Sequence, residues 1–231
     1  MEKKNDERST RERFVDSLSG FLQRNRVAIL CVAIIALLGI AGFAIYAEVS
    51  SRRAEEALVR LEAAQTRVDE RQELSGEEQD AVDTELLIEL ADIADSHPRT
   101  YAAQRSLFLM GIISMDREDY GEAAEAFGRL ADRFTDSHLA IIARANQATA
   151  YEEQGNADSA LTAYRRLLEL RPSANPLEAR ALFSIGRLTE TAEQDPDGAR
   201  EYYERVVNEF PQSDWTSLAR NRLLALTTVA P

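Results

Sequence analysis

One cysteine, two histidines and two lysines are all that this 231-residue chain holds of those three residue types. A lone cysteine, Cys31, closes no intramolecular disulfide and builds no zinc site. His97 and His138 fall in two different inter-helix turns, where they read as solvated turn residues and not as a metal pair. Phosphate-binding, dinucleotide, zincin and nucleophile-elbow motifs are all missing. The 35 acids after residue 47 read as solvated helix faces, because nothing specifies a pocket that would pair two of them for catalysis. These absences predict a protein that is not an enzyme and has no cofactor and no metal. Glycine and proline are also scarce, at 10 and 6. No segment shows the alternation and β-branched enrichment of a strand.

Positive charge is the next shortage. The chain carries −13 overall, yet residues 1–26 hold seven basic against five acidic residues, so residues 48–231 carry −15. That balance excludes ordinary nucleic-acid recognition, which depends on clustered Lys and Arg. It also sets the large acidic part off from anionic lipid headgroups. Other proteins are the expected partners, and a basic partner surface suits this chain better than an acidic one.

Long apolar runs are lacking too, except for one, in "RNRVAILCVAIIALLGIAGFAIYAEVSSRR". Val27 to Ala47 are 21 residues without a charge, Asn, Gln or Pro. As a helix they span about 32 Å, against roughly 30 Å of bilayer hydrocarbon. The run has no polar stripe, as a core helix would. The small-x-small motif Gly42-Phe43-Ala44 leaves a cleaved signal peptide as the alternative, but the run and its leader are long for one. Five Arg precede the run within 20 residues and four follow it, which points to a cytoplasmic N-terminus. The expected division is a tail at 1–26, a transmembrane helix at 27–47 and a juxtamembrane or first solenoid helix at 48–76. A repeat domain at 77–226 and a tail at 227–231 complete it.

Helix punctuation is readable beyond the membrane segment. Ser75 with Glu78 forms a capping box, and Asp119 with Glu122 a variant of one. Pro98, Pro176 and Pro196 suit first-turn positions, the last two behind Asn175 and Asp195 as caps, and Gly155 suits a C-terminal cap. The resulting helices are roughly 50–73, 77–95, 98–115, 119–134, 138–154, 157–170, 176–192, 196–209 and 213–226. Leu87, Phe127, Tyr164 and Tyr203 recur at spacings of 40, 37 and 39 residues, each three before Leu90, Leu130, Leu167 or Val206. Each recurrence closes on Gln104, Arg144, Arg180 or Arg220. The prediction is an all-α solenoid of about four helical hairpins plus a capping helix, behind a single transmembrane helix. In it Phe127, Tyr164 and Tyr203 are core, and Trp215 covers the last repeat. Ala54, Leu58, Leu61, Gln65 and Val68 mark either the first solenoid helix or a coiled-coil dimer seam.

The stretch "YEEQGNADSALTAYRRLLELRP" resembles the tetratricopeptide repeat, with Tyr151, Gly155, Ala160, Tyr164, Leu167 and Pro172 at the motif positions. Gly111, Tyr120, Ala123, Phe127 and Leu130 repeat it less completely, as do Ala199, Tyr203, Val206 and Pro211. The first unit departs most, with Asp83 where a small residue belongs. One membrane helix leading into such repeats resembles the ancillary subunit of the bacterial Sec translocon. The turns in "EFPQSDWTSLAR" and "RFTDSHLAIIAR" look like those of the cell-division coordinator and outer-membrane assembly lipoprotein families. The resemblance implies an inner-membrane scaffold with a periplasmic repeat domain that binds translocon, chaperone or client polypeptides. A cytoplasm-facing receptor and a structural homodimer through residues 50–73 stay open. In such arrays the first helix of each hairpin lines the concave side. The implied partner groove is Arg105, Phe108 and Ile112, then Arg144, Thr149 and Glu152, then Phe183, Arg187 and Glu190.

Overall fold

In a computed structural model, which describes residues 24–170 and 175–228, every regular element is helical. The N-terminal tail to residue 23, Pro172 at the close of the third motif and residues 229–231 lie outside the described residues. The first helix, α1, runs Arg26–Glu70 and ends in a single 3-10 turn, Arg71–Glu73. Then follow α2 (Glu77–Ser96), α3 (Tyr101–Asp116), α4 (Tyr120–Arg133) and α5 (His138–Glu153). The remaining helices are α6 (Ala157–Glu169), α7 (Glu178–Thr191), α8 (Pro196–Glu209) and α9 (Asp214–Thr228). Contacts divide the chain at Arg53 into two units, 1–53 and 54–231.

The first unit contains the apolar stretch of α1, which is long and apolar enough to cross a membrane and has none of its apolar window buried in protein. The second unit is the solenoid. Ala57, Leu61, Ala64 and Val68 of α1 are buried with Leu86, Leu90 and Ile93 of α2 and with Leu109 and Ile113 of α3. Of the two expectations for this segment, the packing is that of a first solenoid helix. The buried stripe is rotated from the expected one: Leu58 is 44 % exposed, and Ala57 and Ala64 face inward instead. Two alanines let α1 lie close to both partners. The hairpins are therefore α1/α2, α3/α4, α5/α6 and α7/α8, with α9 as the cap. The all-α array of four hairpins plus a capping helix is as expected.

Within the later hairpins, each turn is made by one residue in the left-handed region: Glu118 (φ 61°), Gly155 (φ 78°) and Gln194 (φ 55°). Only one of the three is glycine, so the sequence marks only that turn. Between hairpins a different turn recurs. Thr100, Ser137 and Ser213 each donate a backbone N–H to the carbonyl three residues back, at His97, Phe134 and Phe210. Their hydroxyls then accept from the next helix, at Ala103, Leu139 and Trp215.

These turns correct four boundary expectations. Gly76 takes the N-cap of α2 at φ 63°, which leaves Ser75 outside the helix, so its box with Glu78 does not form. Asp119 does stand at the N-cap of α4, but it makes no side-chain cap bond, and its carboxylate is held by the Arg117 Nε–H at 3.0 Å. Pro98 lies within the His97–Thr100 turn and not in a first helical turn, because Thr100 caps α3. Pro176 precedes α7, and Asn175 secures that approach by accepting from the Leu177 N–H and donating to the Leu167 carbonyl. Pro196 occupies the first turn of α8 behind Asp195, as expected.

Close helix approach rests on small residues opposite aromatics. A Cβ on Gly111 would lie 2.5 Å from the Phe127 ring, and one on Gly186 would lie 2.9 Å from the Tyr203 ring. Ala123, Ala160 and Ala199 are fully buried at the equivalent position of their hairpins. In the first hairpin that position is Asp83, 1 % exposed, and it accepts from the Arg71 Nε–H at 2.6 Å. The same guanidinium donates to Asp116 at the end of α3, at 3.0 and 3.1 Å. The most degenerate repeat thus exchanges an alanine contact for a buried ion pair.

Candidate functional site

The solenoid sorts its charge by helix. The first helices α3, α5 and α7 hold five acids and four arginines, the cap α9 holds one acid and two arginines, and the solenoid part of α1, from Ala54, holds five acids and two arginines. The second helices α2, α4, α6 and α8 hold seventeen acids and six arginines, and α2 alone supplies eight acids with no basic residue. The acidic excess of the chain therefore belongs mainly to the outer helices. The nearly balanced helices α3, α5 and α7 can meet another protein without the repulsion that the second helices would impose on an acidic one.

Eight of the nine expected groove residues are half-buried on α3, α5 and α7. On α3, the Arg105 guanidinium lies 5.4 Å from the centroid of the Phe108 ring, and Phe108 meets Phe127 edge-on at 5.8 Å. Arg105, Phe108 and Ile112 are all half-buried. On α5, the Thr149 hydroxyl accepts from Arg180 of α7 at 3.0 Å. Phe183 of α7 packs on Tyr203 at 5.5 Å and on Trp215 at 5.3 Å, which puts Trp215 over the last hairpin as expected.

Glu152, Arg187 and Glu190 are linked across hairpins in a way the sequence did not suggest. Glu152 accepts from the Tyr164 hydroxyl of its own hairpin at 2.7 Å and pairs with Arg187 of the next. One repeat on, Glu190 accepts from the Tyr203 hydroxyl at 2.9 Å and pairs with Arg222 of α9. Burial, reinforced by the bond to Glu190, pushes the Tyr203 hydroxyl up to about 12, and burial raises Tyr164 in the same direction. Both tyrosines are therefore neutral donors at any physiological pH. The spacing of Glu152 to Glu190 alongside Tyr164 to Tyr203 was the signal that could have revealed the triads.

Arg144, the ninth residue, is placed elsewhere. It is 3 % exposed, bonds the Gln147 side chain at 2.6 Å and reaches Asp132 on α4. It ties α4 to α5 beneath the outer surface. Among the described residues, no group of acids, cysteines and histidines is placed to hold a metal ion.

Comparison with known proteins agrees with this geometry. Residues 20–175 match the tetratricopeptide repeat-like domain, and residues 145–214 match the tetratricopeptide repeat. Two crystal structures of nearly identical TPR-like repeats, assigned to a kinesin light chain of Podosopora anserina, superimpose with a TM-score of 0.51. Each is 13 % identical to this chain, covering 76 % of it and 86 % or 87 % of the crystallised chain. At that identity the likeness concerns the fold alone. No curated protein matches.

Proposed function

We propose, from the premise that the chain belongs to the tetratricopeptide repeat-like domain family, that it is a non-enzymatic, membrane-anchored scaffold for protein–protein interaction. Its anchor is the apolar stretch of α1, and its repeat domain faces the periplasm of a bacterial inner membrane. There it assists protein translocation, folding or envelope assembly, with translocon, chaperone or client polypeptides as partners. The observation that carries this reading is the near balance of charge on α3, α5 and α7 in a strongly acidic domain, with half-buried Arg105, Phe108, Ile112 and Phe183 on two of them. Aromatic anchors flanked by arginines are the residue types that dominate binding energetics in interfaces. The Arg excess before the apolar run supports the orientation.

Orientation and docking need separate tests. Alkaline phosphatase fused after Pro231 is active in a bacterial host if the repeats are periplasmic; an inactive fusion assigns them to the cytoplasm and sinks that part. For docking, Arg187 and Glu190 are poor probes, because each holds two hairpins together. Arg105 and Ile112 make no such ties across hairpins. A photo-cross-linker at Ile112 should trap a partner protein in membranes, and Arg105→Ala with Phe108→Ala should abolish the adduct. An adduct that survives both substitutions places the working surface elsewhere.

A further inference from the structure

The opposite side of α5 carries a second surface that the reading above does not use. Between the outer helices α4 and α6 lies a trough made of two cavities, of about 770 and 300 Å³, which share Gln147 and Tyr151 of α5 as a common floor. One wall is α4 with its bare Gly121 and Gly128, and the other is α6 with Ser159 and Thr162. Gly128 has no room for a side chain, since its Cβ would stand 2.3 Å from the Gln147 amide nitrogen. Gln147 is itself fixed, accepting from Arg144 and donating to the Ala124 carbonyl at 3.1 Å. Tyr151 packs its ring against the cores on both sides of α5. The floor is thus rigid before anything binds, which removes ordering cost from binding.

The lining says what would fit. Small-molecule pockets are mostly apolar, and this one is lined largely by amide, hydroxyl and charged side chains. An anion or nucleic acid would need one sign of charge, yet Glu125 and Asp158 stand among Arg129, Arg133 and Arg166. Among the described residues, the Tyr151 hydroxyl and the Gln154 side-chain amide make no hydrogen bond within the chain, although both residues line the trough. Together with Ser159 and Thr162 they offer donors and acceptors side by side, which is what the alternating N–H and C=O groups of an extended main chain need. The missing side chain at exposed Gly121 lets such a backbone approach α4, while Gln147 fills the space beside Gly128. From Gly121 to Arg133 the wall is about 18 Å long, the length of roughly five extended residues. Net charge points the same way, since α4 and α6 carry the least excess charge of the second helices, three acids to two arginines and two to two.

We propose that the trough between α4 and α6 is a second docking surface, which takes about five extended residues of a partner protein through their main chain. It is independent of the first-helix face, so either can fail alone. The probe is a phage-displayed library of random heptapeptides, selected on the full chain in lipid nanodiscs, with affinities of recovered peptides measured by fluorescence anisotropy. Peptides should be recovered whose affinity falls tenfold or more in Gly121→Trp and in Thr162→Trp and is unchanged in Phe108→Ala. N-methylation of two backbone amides in such a peptide should cost a similar factor, while exchanging its side chains should cost little. Because a tryptophan could disturb folding, Tyr151→Phe and Gln154→Ala give a gentler reading, each expected to weaken binding about three- to tenfold with helicity unchanged. The proposal is overturned if no peptide is recovered, if those recovered ignore all four trough substitutions, or if N-methylation leaves affinity intact.

Discussion

Removing Asp83 is the sharpest test of how the first hairpin is held. Arg71 and Asp83 have side chains 3 % and 2 % exposed, with N and O 2.6 Å apart. At an effective dielectric of about 20 their attraction is about 6 kcal/mol, against a desolvation penalty of several kcal/mol per ion. The intact pair therefore contributes little net stability. Breaking it is another matter, since Asp83→Ala leaves a guanidinium buried. Loss of one partner of a buried pair costs about 3–5 kcal/mol. Asp116 still accepts two bonds from Arg71 and its side chain is 52 % exposed, which offsets part of that. We expect about 2–4 kcal/mol for Asp83→Ala. With an m-value of about 2 kcal/mol/M, that lowers the urea midpoint of residues 48–231 by about 1–2 M, read from helical circular dichroism. Arg71→Met combined with Asp83→Leu should recover most of the loss, because an apolar pair of similar volume is often neutral or better. A midpoint drop under about 0.3 M for Asp83→Ala, or a double variant no better than the single, would refute the reasoning.

Gly111→Ala should cost about 1–3 kcal/mol through overpacking against Phe127, whereas Gly121→Ala, whose Cβ finds only the Gln154 amide at 3.4 Å, should cost under about 0.5 kcal/mol; paired urea titrations check this. Gly155→Ala should cost about 1 kcal/mol from its φ of 78° alone, with no atom near the added Cβ, while Glu118→Gly should leave the melting temperature unchanged or raise it. Tyr203 has its folded-state pKa raised to about 12 from the ordinary 10, so its contribution is present below pH 10 and is lost as pH climbs through 12. The melting temperature should fall more steeply across that window for the native chain than for Tyr203→Phe; equal slopes would count against the triad.

Hairpin number and helix order were legible because both rest on spacing. The recurrence of Leu87, Phe127, Tyr164 and Tyr203 follows from the period of the stack, and a residue of that kind has one place to go. Glycine was a poorer guide to turns. Gly155 was readable as a cap, but Glu118 and Gln194 adopt the same left-handed turn, and their side chains give no sign of it. Capping boxes were over-read for a related reason. The pattern gives the residues but not the competing partner, so Arg117 drawing the Asp119 carboxylate away was invisible. Arg71 was hidden entirely, since an arginine at the end of an acidic, exposed-looking helix carries no mark of burial.

The groove residues show the same limit and its remedy. Helical spacing grouped nine residues, but it could not separate residues that tie the array together from those that do not. The internal repeats do separate them. Gly111, Ala148 and Gly186 occupy one position, and four residues further on stand Met115, Glu152 and Glu190. Opposite them stand Phe127, Tyr164 and Tyr203. A phenylalanine offers no hydroxyl, and its hairpin has methionine where the others have glutamate; Met115 packs into the same core as Phe127. Where tyrosine appears, glutamate is there to accept its hydroxyl's hydrogen bond, and an arginine from α7 or α9 balances the charge. The two positions vary together along one chain because a buried hydroxyl without an acceptor would cost about 1–3 kcal/mol. Glu152, Glu190, Arg187 and Arg222 are thereby committed to joining successive hairpins. Arg105, Phe108 and Ile112 carry no such ion pair: Phe108 and Ile112 are half-buried against the core around Phe127, and Arg105 lies over the Phe108 ring, at the end of the array nearer in sequence to the apolar helix.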